Sequence, residues 1–375
     1  MENKLKVMTI LGTRPEIIRL AETIKALDKY FDHILVHTGQ NFDYELNQIF
    51  FEELGLRAPD YYLDCVGKNL GETMGNVIAK SYDLIQKEKP DAVLILGDTN
   101  SALSAIAAKR LKCPIFHMEA GNRCWDWNVA EMTNRTIVDR ISDINMPYTE
   151  NARRYLLSEG VDGKTIFVTG SPMKEVLMKN IDKINNSKVL EELKLKPNGY
   201  ILVSAHREEN IDIEENFMEL MNSINKIAEK YNVPVIYSTH PRSRKWIEKR
   251  NFKFHPNVIN MKPFGFFEYV KLQQNALCVL SDSGTLTEES SIMKFPAVLI
   301  RTSTERPEGL DAGSIIVGGI KEKDVLQATE LAISMWKNKE PLGISEYYDV
   351  TNTSLRVVKI IQSYAKIVKK TTWLE

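Results

Sequence analysis

"KVMTILGTRPEIIRL", Lys6 to Leu20, is an apolar run that stops at Gly12-Thr13-Arg14-Pro15-Glu16 and then changes its period. The run is close to continuous rather than alternating, the pattern of a strand buried on both faces of a parallel sheet. Beyond it, Pro15 suits a first helical position and Glu16 a first turn. The stretch therefore reads as strand, tight turn, helix. Arg14 is held at a helix N-terminus, where backbone amides already favour an anion. A well-capped helix carrying a surface arginine is the plainer reading of the same residues.

Working outward, the unit recurs in "HILVHT" (33–38), "AVLILG" (92–97), "PIFHME" (114–119) and "TIFVTG" (165–170), each followed by an amphipathic helical pattern. After a long polar helical stretch it restarts with "YILVSA" (200–205), "PVIYST" (234–239), "NVINMK" (257–262), "LCVLSD" (277–282) and "PAVLIR" (296–301). Alternating strands and helices predict an α/β protein of two doubly wound, Rossmann-like domains. The length of 375 residues agrees, because single cores stop growing at about 250 to 300 residues. The expected division is 1–170, 171–352 and a terminal helix over 353–375, with the hinge near Val168–Met173, where Gly, Ser and Pro interrupt the pattern. The terminal helix places Leu355, Val358, Ile361, Ala365 and Val368 on one stripe and is expected to pack back on the N-terminal domain.

Composition narrows the function. Net charge is −1 with 26% charged residues, so nothing points to nucleic acid or an anionic membrane surface. Cys65, Cys113, Cys124 and Cys278 are scattered without a C-x-x-C, which argues against a disulfide framework or a thiolate metal site. No His/Asp/Glu spacing resembles a metal site, and no cofactor is expected. The start carries no signal pattern, and no run approaches the roughly 18 apolar residues of a membrane span, so a cytoplasmic protein is expected.

In open α/β sheets ligands bind beyond the carboxyl ends of strands, so the polar residues found there are the candidates. Asp98, after "LILG", looks by itself like a helix cap. Glu119, at the end of "IFHME", is harder to explain, since a carboxylate leaving an apolar strand is costly to bury without a partner or a task. Glu131, before "TNRTIVDR", suits a first helical turn. The second half delivers His206-Arg207 and His240-Pro241-Arg242, two histidines each beside an arginine, which suggest an anion site with an acid/base group. "SDSGTLTEESS" (281–291) offers the small residues Ser283, Gly284 and Thr285 to a phosphate, while Glu288 and Glu289, a turn further on, could accept from ribose hydroxyls.

Taken together, "GTRPE", "GDT", "EAG-R", "E--NR", "HR-EN", "THPR", "SDSG---EE" and "TERPE", in this order from Gly12 to Glu308, resemble the non-hydrolysing UDP-N-acetylglucosamine 2-epimerase family. The resemblance implies a GT-B-like fold with the sugar nucleotide between two Rossmann-like domains, and a homodimer. It further implies that Asp98, Glu119 and Glu131 handle protons at C2 and that His206 stands near the leaving diphosphate. Arg14, Arg19, Arg135, His240 and the Ser283-Gly284-Thr285 turn would hold the substrate, Tyr269 would stack on uracil and Glu289 would bind ribose. Within the family, "HMEAGNRC", "SAHREEN" and "KPFGFFEY" look closest to the UDP-N-acetyl-L-fucosamine synthase branch, which epimerises C2 of UDP-2-acetamido-2,6-dideoxy-L-talose. UDP-N-acetylglucosamine 2-epimerisation is the nearest alternative; a GT-B glycosyltransferase and a sugar-nucleotide sensor without turnover are more remote. Two departures stand out. The family's "PEE-NR" reads "AEMTNR" from Ala130, so a proline is lost and Met132 replaces a glutamate. The "QH" of the family's activating second UDP-GlcNAc site reads Gln40-Asn41-Phe42-Asp43, which speaks against that form of allostery.

Overall fold

The computed structural model of the chain describes residues 4–39, 48–127, 129 and 131–374. Ala130 and Gln40–Asp43 thus lie outside the described residues. The chain forms two compact units, residues 1–179 with 349–375, and residues 180–348.

The first unit is built on a parallel six-stranded sheet in the order β3-β2-β1-β4-β5-β6. Its strands are β1 (Lys6–Leu11), β2 (Asp32–His37), β3 (Tyr61–Tyr62), β4 (Ala92–Leu96), β5 (Ile115–Met118) and β6 (Ile144–Met146). The unbroken apolar run at the start of the chain is explained directly. Val7, Met8, Thr9, Ile10 and Leu11 are all buried, so both faces of β1 are covered. On one face Met8, Ile10, Val36, Val93 and Ile95 pack with Leu84, Ala105 and Val138 of the covering helices.

The second unit repeats the plan with β7 (Ile201–Ser204), β8 (Val235–Ser238), β9 (Val258–Met261), β10 (Cys278–Ser281), β11 (Ala297–Leu299) and β12 (Ile316–Val317). Its order, read from the other edge, is β9-β8-β7-β10-β11-β12, so the topology is the same. In this topology the strand order reverses between the first and fourth strands, and the crevice beyond their carboxyl ends is where such sheets bind ligands. The chain after β1 and β4 (Gly12–Arg14, Gly97–Thr99) and after β7 and β10 (His206, Asp282–Thr285) therefore occupies the two switch points.

Two sequence expectations need correction. "TIFVTG" is not a strand: Gly163–Thr165 is a 3-10 turn and Ile166 makes a single isolated bridge to Asn145. The sixth position belongs to Ile144–Met146, whose three residues are too few to show a period. In the terminal helix, Thr353–Thr372, the buried stripe is Val357, Ile361, Ala365 and Val368. Leu355 is 43% exposed. This helix packs on the Arg14–Tyr30 helix of the first unit. Its start is fixed by Glu175, which accepts from the Ser354 amide at 2.9 Å and hydroxyl at 2.5 Å. Among the described residues, no helix is long and apolar enough to cross a membrane, and all four cysteines are free.

Candidate active site

In the first unit the loops after β1 and β4 are sewn together by Glu16. Its carboxylate, 1% exposed, accepts from the Gly12 amide (3.1 Å), Thr13 Oγ1 (2.8 Å), Thr99 Oγ1 (3.1 Å) and Ser101 Oγ (2.5 Å). Burial raises its pKa, against the lowering effect of these donors. Glu16 stands in the first turn of its helix, as the sequence suggests, and is in addition the fastener of the switch-point loops.

Asp98 is not a helix cap. It follows Gly97, whose φ of +72° turns the chain out of the sheet, and its Oδ2 accepts from Arg135 Nε (3.0 Å) and Nη2 (2.5 Å). Arg135 Nη2 also donates to Glu119 Oε1 at 3.0 Å, and Nη1 donates to the Glu119 carbonyl. The second oxygen of Glu119 pairs with Arg19 Nη1. Asp98, Glu119, Arg19 and Arg135 thus form one cluster, in which Glu119, Arg19 and Arg135 are buried. Two guanidinium groups meet two carboxylates, the pairing that buried charges require. Glu131 begins the Glu131–Ile141 helix, four residues before Arg135, and is exposed. Met132, where the family pattern has glutamate, is 4% exposed. A buried position explains why an apolar side chain is tolerated there.

Arg123 does not join this cluster. It is 2% exposed, lies 2.7 Å from Asp139 and donates to Glu159 at 2.8 and 2.6 Å. Asp139 accepts from the Gly121 amide at 3.1 Å, and His117 Nδ1 lies 2.9 Å away, off the hydrogen-bonding line. Burial works against the Asp139 carboxylate, yet the neighbouring His117 and Arg123 hold its pKa below the usual range. This network buttresses the 119–121 turn from behind. Trp125 and Trp127 are exposed, Trp125 lying edge-on to Tyr155 at 5.6 Å between ring centroids.

In the second unit the organising group is Asp282, which is fully buried. Its Oδ2 accepts from the amides of His206 (2.8 Å) and Arg207 (2.9 Å) and from Asn210 Nδ2 (3.2 Å). Burial opposes its charge, but His206 and Arg207 outweigh it and hold the carboxyl well below the ordinary range. His206 and His240 face each other with ring centroids 5.3 Å apart. His240 is also the N-cap of the Pro241–Lys249 helix, Nδ1 accepting from the Arg242 amide at 3.3 Å. Arg242 itself pairs with Glu208 and Asp212.

The Ser283-Gly284-Thr285 turn opens the Leu286–Met293 helix, with the two hydroxyls 2.9 Å apart. A Cβ at Gly284 would come within 2.7 Å of Glu305 Oε1, so the Glu305 carboxylate would have to shift to admit one. The two glutamates behind the turn have separate fates. Glu288 is fully buried and paired with Arg306. Glu289 accepts from Gln273 Nε2 at 2.6 Å, and Tyr269 lies one turn before Gln273 on the same helix. Glu305 accepts from Arg301 at 2.9 Å; burial opposes its charge, but Arg301, Arg207 and Arg306 hold its pKa far below the usual range.

Among the described residues, no group of three His, Cys, Asp or Glu side chains is arranged to hold a metal ion. What the strand ends present is carboxylates clamped by arginines in one unit, and paired histidines beside a small-residue phosphate-type turn in the other. With two six-stranded switch-point sheets, this defines a GT-B-like nucleotide-sugar protein.

Residues 25–362 match the family described as UDP-N-acetylglucosamine 2-epimerase. The chain is 37% identical over 350 residues to the UDP-N-acetylglucosamine 2-epimerase of Methanocaldococcus jannaschii, covering 90% of this chain and 95% of that protein. It is 36% identical over 331 residues to the UDP-2,3-diacetamido-2,3-dideoxy-D-glucuronate 2-epimerase of Pseudomonas aeruginosa, covering 86% and 91%. The structure of a UDP-N-acetylglucosamine 2-epimerase from Rickettsia bellii matches over 100% of both chains, with a TM-score of 0.92 and 48% identity. The M. jannaschii enzyme in complex with UDP-GlcNAc and UDP matches over 96% of this chain and 100% of that one, with a TM-score of 0.90 and 33% identity. The chain belongs to the UDP-N-acetylglucosamine 2-epimerase family and is a UDP-sugar 2-epimerase, an isomerase.

Proposed function

We propose that this epimerase converts UDP-2-acetamido-2,6-dideoxy-L-talose to UDP-N-acetyl-L-fucosamine, acting as a cytoplasmic homodimer that supplies capsule or O-antigen biosynthesis. The carrying observation for the chemistry is the cluster of Asp98 and Glu119 on Arg135 at the first switch point. The C2 proton of an acetamido sugar is not beside a carbonyl, so its removal needs a second bond to break at the same time. As a carboxylate among Asp98, Glu119 and Glu131 takes the proton, the C2–H electrons form a C1=C2 bond and the C1–O pair leaves with UDP. Re-addition of UDP to the 2-acetamidoglycal, with a proton delivered to the opposite face, gives the epimer. Such a route needs an acid and a base on opposite faces and cations to hold the departed UDP. Arg14, Arg19, His240 and the Ser283-Gly284-Thr285 turn would hold phosphates, His206 would protonate the leaving oxygen, and Tyr269 and Glu289 would take uracil and ribose. The short path from Tyr269 through Gln273 to Glu289 supports that last assignment.

For the sugar, the support is the "HMEAGNRC" segment, where plain N-acetylglucosamine epimerases typically read "EAGLRT". Asn122, the residue that departs, is 4% exposed, and its Nδ2 finds no partner among the described residues. A second reading, UDP-N-acetylglucosamine 2-epimerisation, is favoured by the activity named for the M. jannaschii relative. Incubation in D2O with each substrate side by side, read by NMR at C2, separates them. Exchange with the 6-deoxy-L-talo substrate is expected; exchange confined to UDP-GlcNAc would overturn the sugar assignment. Glu131→Gln should abolish exchange while leaving UDP affinity nearly intact, and retained exchange would remove Glu131 from the chemistry.

A further inference from the structure

Asp282 holds the loop after β7 through one oxygen only. Oδ2 receives all three donors described above, while Oδ1, equally buried, has no hydrogen bond among the described residues. A buried carboxylate oxygen without a donor is costly. The nitrogen placed to relieve it is His206 Nδ1, 3.2 Å away but not aligned with it. His206 keeps 29% of its side-chain surface exposed, so its ring has room to turn into line.

We propose that Asp282 is the positioning residue for His206, its Oδ1 accepting from Nδ1 and so presenting Nε2 to the leaving diphosphate oxygen. The reasoning is steric and electronic. An ionised carboxylate can only accept, so the imidazole nitrogen facing it must carry a proton. The other nitrogen is then free either to accept a proton or, once protonated, to give it to the oxygen departing from C1 and to recover it when UDP returns. Without the carboxylate, the proton of a neutral ring could sit on either nitrogen, and half of the orientations would present C–H edges to the ligand. Asp282 thereby does two tasks with two oxygens, one fixing the backbone of His206 and the other its ring. This inference rests on the role proposed above for His206 and adds the group that makes that role possible.

Asp282→Asn separates the two tasks. The single amide oxygen is expected to take the Oδ2 position, where three donors await it, and the amide NH2 then faces Nδ1 and donates to it. The loop is kept and the tautomer is reversed. The expected result is a kcat lower by roughly 10²- to 10⁴-fold, the range typical of general acid–base contributions, with KM and UDP affinity changed by less than about threefold. In 15N-labelled protein, neutral His206 should carry its proton on Nδ1 in the wild type and on Nε2 in the variant, the signals being assigned by their loss in His206→Gln. Wild-type kcat in D282N, or a wild-type ring protonated on Nε2, would overturn the proposal; the second measurement stands even if D282N does not fold. If H206Q itself retains full turnover, the role of His206 fails. If H206Q loses turnover while D282N keeps it, the role of His206 survives and the positioning by Asp282 fails.

Discussion

Arg135→Lys is the sharpest test of how the first unit holds its two carboxylates. Arg135 makes four hydrogen bonds, two to Asp98 Oδ2, one to Glu119 Oε1 and one to the Glu119 carbonyl. Lysine keeps the charge but is a point donor, and it cannot span both acids as the planar fork does. Hydrogen bonds to charged groups are worth about 1.5–3 kcal/mol each. Asp98 retains 21% side-chain exposure and is partly compensated by water, so the lower end applies to its share. Losing two bonds net, one to each acid, predicts a destabilisation of about 3–4.5 kcal/mol for Arg135→Lys. Arg135→Met, which also removes the charge, should cost about 1–2 kcal/mol more, with Arg19 still neutralising Glu119. With Asp98 and Glu119 acting at C2 as proposed, both variants should lower the exchange rate at least about 100-fold, since a displacement near 1 Å at reacting groups costs that much. Urea unfolding followed by tryptophan fluorescence gives the first quantity and deuterium incorporation the second. If Arg135→Lys unfolds within about 0.5 kcal/mol of the wild type and exchanges normally, the fork is not what sets the spacing of Asp98 and Glu119.

Two further outcomes follow from the same geometry. Gly121 has φ of +81°, and a Cβ there would meet the Ala152 carbonyl at 2.5 Å and Leu156 Cγ at 2.8 Å; Gly121→Ala should destabilise by roughly 2–5 kcal/mol, combining left-handed strain with overpacking, and an unchanged melting temperature would refute the close approach. Glu305 is the case for pH. Its folded-state pKa is depressed from the ordinary 4.5, with burial opposing and Arg301 foremost among the groups that lower it, so its stabilisation is complete above that value and is lost as pH falls through the folded-state one. Glu305→Gln should cost about 2–4 kcal/mol at neutral pH, discounted from a fully buried pair because the side chain keeps 17% exposure. Its stability should also fall less steeply than the wild type's as pH drops below 4.5. Parallel curves for the two proteins, from urea midpoints measured down through this range, would show that the carboxylate is not paired in the folded state.

Strands of four or more residues, β1, β2, β4, β5 and β7 to β10, were legible as apolar runs, and so was β11; β3, β6 and β12 were not. β3 and β12 have two residues each and β6 has three; their pairing is dictated by the neighbouring strand rather than by their own pattern. Site residues divide in the same manner. Glu119 was visible because burying a carboxylate after an apolar strand demands a reason, and Asp282, after the equally apolar "CVLS", could have been found by the same argument. Taken alone, local pattern gave Asp98 only a helix cap and Glu16 only the first helical turn, which Glu16 does occupy. The partners that local pattern could not reach lie 37 residues away for Asp98 and 83 and 85 for Glu16. Arg123, the arginine of the "EAG-R" motif, is sent by the turn at Gly121 to Asp139 and Glu159 rather than to Asp98 and Glu119.

That turn also explains why a glutamate is kept in a conformation that resists it. Gly97, Glu119 and Gly121 all have positive φ, at +72°, +59° and +81°. Two of the three are glycines, as expected where the chain must leave a sheet abruptly. Glu119 is not, and a left-handed non-glycine residue costs about 1–2 kcal/mol. A glycine would relieve that strain but would leave Arg19 and Arg135 buried with one acid fewer, at a cost of about 3–5 kcal/mol for a broken buried pair. The left-handed turn is also what lets one residue offer both its carbonyl and its carboxylate to the same guanidinium. Strain at Glu119 is therefore held in place by the two arginines, which ties the backbone after β5 to the position of the carboxylate and, through Arg135, to Asp98 in the turn after the neighbouring strand β4. A change at any one of the three should move the other two, so their contributions to exchange are expected to be strongly non-additive in double mutants.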